Sequence, residues 1–155
     1  MNPRNFKNPK AGMALTAAAG PASNLIMSVI FILLSNISFV IYCKTNDSIV
    51  ARVAFLFFFY AAMINISLAV FNLIPIPPLD GSRIVGLLIP NKIYYQIMKY
   101  ERYIIIVVFV LLALGWLSTP LSWLTYKVLY GISWLVSKPF GEYGDMFMQI
   151  VLSAM

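Results

Sequence analysis

No histidine occurs in this chain of 155 residues, and cysteine occurs only once, as Cys43. No part of the chain can therefore supply a histidine to a metal ion or to acid–base chemistry, the common uses of that side chain. A single cysteine also excludes a disulfide within the chain. Charged residues make up 10% of the sequence, whereas soluble domains carry roughly 25%. This composition excludes an ordinary soluble domain.

Hydrophobic residues are abundant instead, at 61% of the sequence, and they form long runs. A helix of about 20 apolar residues crosses the hydrocarbon core of a bilayer. We therefore predict an all-α, polytopic membrane protein with about three to four transmembrane helices and one broken, proline-rich segment at membrane depth. The net charge of +6 in so apolar a chain indicates anchoring beside the membrane rather than nucleic-acid binding.

The chain is expected to form a single membrane domain, and an incomplete one. Gly20 and Pro21 interrupt the first apolar run, so a small-residue segment should precede a spanning helix from about Ala22 to Cys43. Residues 103–136 should hold a third span, followed by either a fourth span or an interfacial helix. The predicted segments are a loop at 1–10, the leading segment and first span at 11–43, the second span at 50–73, a proline-rich and interfacial region at 74–102, the further span or spans at 103–136, and a tail at 137–155.

The stretch Asn72-Leu-Ile-Pro-Ile-Pro-Pro-Leu-Asp80-Gly81 follows the second apolar run. Proline lacks a backbone donor and disfavours a helical residue before it, so the second helix should end near Leu73. The backbone should then run extended to a turn at Asp80-Gly81. In one interpretation, the Asp-Gly pair serves only to form this turn. Alternatively, a broken helix at membrane depth is tolerated only inside protein or beside a wet cavity, and Asp80 serves chemistry there. The residues leave both interpretations open.

The basic residues predict the orientation of the chain in the membrane. Three precede the first apolar run and four lie between residues 83 and 102, against two between residues 44 and 52. Since cytoplasmic loops carry an excess of lysine and arginine, the first two regions should face the cytoplasm. This prediction places Asp80 near the cytoplasmic face.

Two motifs resemble those of a known family. The stretch from Asn72 to Gly81 resembles the Asn-x-x-Pro-x-x-x-Leu-Asp-Gly motif of the site-2 protease family of intramembrane zinc metalloproteases. Ala19-Gly20-Pro21-Ala22-Ser23-Asn24 is similar to the Ala-Gly-Pro-x-x-Asn motif of the same family. Both stand in the family's order on hydrophobic segments, which makes the pair more specific than either motif alone.

The resemblance implies a zinc hydrolase that cuts peptide bonds of membrane proteins. In the family, two histidines of a His-Glu-x-x-His helix and the aspartate of Leu-Asp-Gly hold the zinc, and the glutamate activates water. Matched to this sequence, Asp80 takes the place of the third metal ligand, and Asn72 that of a residue orienting the substrate backbone. The remaining matched residues shape the site: Gly20, Pro21 and Asn24 at the start of the facing helix, and Pro75 and Gly81 in the backbone beside Asp80.

The His-Glu-x-x-His helix of the family is missing from this sequence. The chain alone is therefore expected to hold no catalytic zinc and to hydrolyse no peptide, because one carboxylate is not a catalytic zinc site. It is interpreted as the C-terminal part of a protease whose histidines belong to a truncated, miscalled or separate segment. Two alternatives remain: a non-catalytic relative that binds or regulates membrane proteins, and a piece of a transporter with a broken helix, although no internal repeat supports the latter.

The expected partners follow from this interpretation. They are membrane lipid, a transmembrane protein or peptide as substrate, and the missing N-terminal segment or a separate chain, with no nucleic acid. The expected cofactor is zinc, provided that the histidines come from elsewhere. The expected location is a bacterial cytoplasmic membrane, crossed several times.

Overall fold

The computed structural model describes residues 9–45 and 48–153. Every regular element in those ranges is helical, which confirms the predicted all-α fold. The helices are α1 (Pro9–Lys44), α2 (Ile49–Leu73), α3 (Asp80–Val85), α4 (Asn91–Lys99), α5 (Glu101–Ala113), α6 (Ser118–Ser137) and α7 (Glu142–Ser153), with a 3-10 helix (Lys138–Phe140) between the last two.

Two of these helices, α1 and α2, are long and apolar enough to cross a membrane. Helices α5 and α6 form a pair, bent at their junction, that passes the same test of length and composition only when taken together. The described residues thus provide two spans, or three if the bent pair is one span. The chain is an integral membrane protein. The larger of these two counts equals the lower limit of the three to four spans predicted from the sequence.

Helix α1 runs without interruption through Pro21, where the sequence predicted a break between a leading segment and the first span. The side chain of Pro21 is fully buried, and Ala14 and Ala17 on the same face of α1 are also buried. Proline removes one backbone hydrogen bond, but a membrane helix tolerates this loss where neighbouring groups surround it. Burial therefore keeps the helix continuous, and the predicted break is wrong.

The chain forms two compact units. The motif unit comprises the residues up to Ser23 and the range Leu68–Leu121. The aromatic unit comprises Asn24–Ser67 and the residues from Ser122 onward. Helices α1 and α2 each contribute to both units. The single membrane domain expected from the sequence stays a prediction.

Phenylalanine rings form the core of the aromatic unit. Phe147 of α7 is completely buried, with its ring centroid 6.0–6.1 Å from those of Phe39 on α1 and of Phe55 and Phe59 on α2. The hydroxyl of Ser35 donates a hydrogen bond of 3.2 Å to the backbone carbonyl of Phe55, which also joins α1 to α2. Residues 142–153, within the segment predicted as a tail, therefore form a helix that packs on two others.

Short helices and close backbone approaches characterise the motif unit. Ala69 and Val70 are buried in the last turns of α2. Beyond α3, the backbone of Gly86 lies against the ring of Tyr94, so closely that a Cβ on Gly86 would stand 2.6 Å from Cε2 of that ring. The ring of Tyr94 on α4 thus packs against the backbone just after α3, and a larger residue at position 86 would require this ring to shift.

Candidate metal-ligand site at the end of helix α2

Helix α2 ends at Leu73, where the prolines that follow were predicted to end it. The chain then makes a series of tight turns rather than an extended run. Ile76 donates its backbone N–H to the carbonyl of Ile74 at 2.8 Å, and Leu79 donates to the carbonyl of Ile76 at 2.9 Å. Proline has no backbone N–H to donate, so these turns use the N–H groups of the residues between and after the prolines.

Gly81 allows the chain to fold back on the end of α2. Its α-carbon is so close to the backbone carbonyls of Leu73 and Ile74 that an added Cβ would collide with both. The sequence predicted a turn at Asp80-Gly81, but these residues are instead the first two of helix α3. The turns that reverse the chain are completed before Asp80, and the glycine provides the close approach rather than a turn.

The carboxylate of Asp80 lies beside Gly20 of helix α1. A Cβ on Gly20 would stand 3.4 Å from Oδ2 of Asp80. Both residues are half-buried and both belong to the motif unit. Two stretches separated by some sixty residues, each singled out by its motif, therefore lie close together at the Asp80 carboxylate.

The other residues of the two motifs lie around this contact to different degrees. Asn72 is half-buried in the last turn of α2, and Pro75 is exposed just beyond it. Pro21 is fully buried in the same unit. Asn24 is half-buried but belongs to the aromatic unit, so it lies in a different unit from Asp80.

Ser82 is a residue of this site that the sequence did not single out. It is 7% exposed. Its hydroxyl and its backbone N–H both donate to the carbonyl oxygen of Leu79, at 2.8 and 3.1 Å. This pair of hydrogen bonds holds the first turn of α3, and with it the backbone of Asp80. A serine two residues after the start of a short helix is a usable signal, since serine readily bonds the carbonyl three residues before it.

The donors around Asp80 do not complete a metal site. No group of three histidine, cysteine, aspartate or glutamate side chains that could hold a metal ion occurs in the ranges 9–45 and 48–153. A catalytic zinc takes three protein ligands and keeps a further position open for water. Because the sequence has no histidine to add, the residues present do not fit a catalytic zinc, and Asp80 offers a single ligand.

Comparison with known proteins identifies relatives. The sequence model of peptidase family M50 matches residues 34–115, which include Asp80. The chain is 37% identical over 114 residues to "Putative zinc metalloprotease YwhC" of Bacillus subtilis, which covers 72% of this chain and 50% of that protein. It is 44% identical over 50 residues to "Putative zinc metalloprotease all3971" of a Nostoc species, covering 27% of this chain and 14% of that protein. No solved structure matches the chain.

The chain thus spans about half the length of the Bacillus protein and a smaller share of the Nostoc protein. The family match covers more than half of this chain and includes the whole proline-rich motif with its aspartate. The structure adds the proximity of that aspartate to the glycine of the second motif. The chain belongs to peptidase family M50, the site-2 protease family.

Proposed function

We propose that this chain contributes the carboxylate part of the metal site of a site-2-protease-like intramembrane zinc metalloprotease. In this proposal Asp80 is the third protein ligand, and the two histidines and the general-base glutamate come from residues outside these 155. The observation that carries the proposal is the proximity of Gly20 and Asp80, because it places the two stretches that resemble the family's motifs near the same carboxylate. Zinc in that site would supply an activated water near neutral pH.

The surroundings of Asp80 support a ligand that is held in place. Gly81 fixes the backbone next to it by packing on the carbonyls at the end of α2, and Ser82 holds the first turn of α3. Helix α1 passes close to the carboxylate, since a Cβ on Gly20 would lie at ordinary contact distance from Oδ2 of Asp80. A ligand preorganised in this way loses little conformational freedom when a metal binds, which favours affinity.

Asn72 is proposed to orient the substrate backbone, and a transmembrane segment of a protein or peptide is the proposed substrate. Asn72 is half-buried in the last turn of α2, a few residues before Asp80 along the chain. An amide side chain carries both a donor and an acceptor, so it can bind an extended peptide. The apolar spans α1 and α2 support a substrate that also lies in the membrane.

The proposed location is a bacterial cytoplasmic membrane, with Asp80 near the cytoplasmic face. The Bacillus and Nostoc relatives are bacterial proteins, which supports the first part. The excess of basic residues before the first span and between residues 83 and 102 supports the second.

A non-catalytic role is the second candidate, and the lack of histidine favours it. Such a protein would keep the framework around Asp80 and bind membrane proteins without cleaving them. The two candidates differ in one requirement, because only the protease needs a segment that carries His-Glu-x-x-His, on the same polypeptide or on a separate chain.

The test is to sequence the DNA upstream of the Met1 codon, together with neighbouring genes, for such a segment, and to express the chain with and without it. The completed protein is this chain together with that segment. We expect it to cleave a membrane-embedded reporter peptide in detergent, and the chain alone to leave the peptide intact. Cleavage by the chain alone would contradict the proposal. Finding no such segment would favour the non-catalytic role.

A further inference from the structure

A groove lies where the short helix α4 meets the apolar helix α5. Its volume is about 510 Å³. It opens to the outside, and all of its lining residues belong to the motif unit. The lining consists of Met98, Lys99, Glu101, Arg102, Tyr103 and Ile105.

The charges of this groove favour an anion. Lys99 and Arg102 are both exposed, so their cationic ends reach solvent, and Glu101 is the single acid of the lining. The surrounding segment is also basic, with four cations and one acid between residues 83 and 102. Clusters of four or more lysines and arginines beside a membrane helix attract anionic lipid headgroups.

The residues in and around the groove change from polar to apolar along the chain. Helix α4 is polar on one side, with Lys92, Gln96 and Lys99 exposed, whereas α5 is almost entirely apolar after Arg102. Tyr103 is 67% exposed at this transition, and tyrosine is enriched where membrane meets water. The groove therefore combines cations with the half-buried apolar side chains of Met98 and Ile105.

We propose that this groove binds the headgroup of an anionic phospholipid, with Lys99 and Arg102 on the phosphate and the glycerol end over Met98 and Ile105. The guanidinium of Arg102 can offer two parallel N–H donors to phosphate oxygens, and the ammonium of Lys99 adds a point charge. Two cations and Glu101 give the groove a net charge of +1, so a ligand with one negative charge neutralises it. A phospholipid with a single net charge, such as phosphatidylglycerol, matches this better than a multiply charged one.

This site involves neither Asp80 nor a metal, so its failure would leave the proposed protease function untouched. Native mass spectrometry of the chain in detergent, titrated with phosphatidylglycerol or with phosphatidylcholine, measures the binding. We expect phosphatidylglycerol to bind more tightly. The double variant Lys99→Gln/Arg102→Gln should bind it about 30-fold more weakly, because each cation near an anionic lipid contributes roughly fivefold.

A matched control is the double variant Lys44→Gln/Arg52→Gln, which also removes one exposed lysine and one exposed arginine, but from the aromatic unit. It should bind phosphatidylglycerol as the wild type does. Glu101→Gln should bind it more tightly, which provides a second test that does not depend on removing the cations. Circular dichroism checks that each variant keeps its helices. Equal binding of both lipids, or equal losses in the two double variants, would overturn the proposal.

Discussion

The two units of this protein differ in how each is packed internally. In the aromatic unit, bulk fills the space between helices, since Phe147 is completely buried among three other phenylalanine rings. In the motif unit, glycines lack a side chain, and other parts of the protein therefore come close to their backbone. Gly81 lies against backbone carbonyls, Gly86 against a tyrosine ring and Gly20 against the carboxylate of Asp80. The first arrangement provides packing, whereas the second positions a particular functional group.

This difference predicts opposite sensitivities to mutation. Removing atoms should damage the aromatic unit, because a buried cavity loses packing contacts. Adding atoms at Gly81 should damage the motif unit, because a Cβ there would collide with two backbone carbonyls. Paired substitutions, one in each unit, test this difference.

The largest loss of stability is expected for Phe147→Ala. The change leaves a cavity next to three rings and should lower the free energy of unfolding by about 3–5 kcal/mol. Unfolding of the chain in detergent, followed by circular dichroism, measures this. Phe57→Ala is the matched control, since Phe57 is 64% exposed and should lose about 1 kcal/mol or less. Equal losses in the two variants would show that the ring cluster does not hold the unit.

Gly81→Ala should have the next largest effect. The new methyl group meets the carbonyls of Leu73 and Ile74, so the backbone must shift, at a cost of about 1–3 kcal/mol in stability. Gly131→Ala serves as the control in the aromatic unit, because a Cβ there meets no atom within 4 Å. It should gain up to about 1 kcal/mol from better helix propensity. A stable Gly81→Ala protein would contradict the close approach at the end of α2.

The smallest effects are expected at Gly20. In Gly20→Ala the methyl group makes an ordinary contact with Oδ2 of Asp80 at 3.4 Å, so zinc affinity of the completed protein should stay near that of the wild type. In Gly20→Leu the larger side chain displaces the carboxylate, and zinc affinity should fall by about 10- to 100-fold. Competition with a chelator measures both. The control Gly131→Leu should leave zinc affinity unchanged. Full zinc affinity in Gly20→Leu would show that Gly20 does not lie next to the metal site.

Local sequence signals predicted some parts of this structure well. The end of α2 at Leu73 could be predicted because three prolines follow within five residues, and proline acts on its own neighbourhood whatever the fold. The helical class followed from the long apolar runs, which can cross a bilayer only as helices or closed barrels.

Other parts depend on contacts that the sequence does not display. The same rule that ended α2 correctly predicted a break at Pro21 that does not exist, because Pro21 is fully buried and α1 continues past it. Helix α7 was missed because its apolar content is modest, although Gly144, Phe147 and Val151 recur at the spacing of one buried helix face. The approach of Gly20 to Asp80 is a tertiary contact, and only the resemblance to a family linked the two motifs.

The zinc content of the completed protein shows whether Asp80 is a metal ligand. Elemental analysis of the purified wild type, of Asp80→Ala and of Asp145→Ala gives the result, with Asp145 as an exposed aspartate in the aromatic unit. We expect stoichiometric zinc in the wild type and in Asp145→Ala, and little or none in Asp80→Ala, with all three equally helical. Full zinc occupancy in Asp80→Ala would contradict the assignment of Asp80 as a metal ligand.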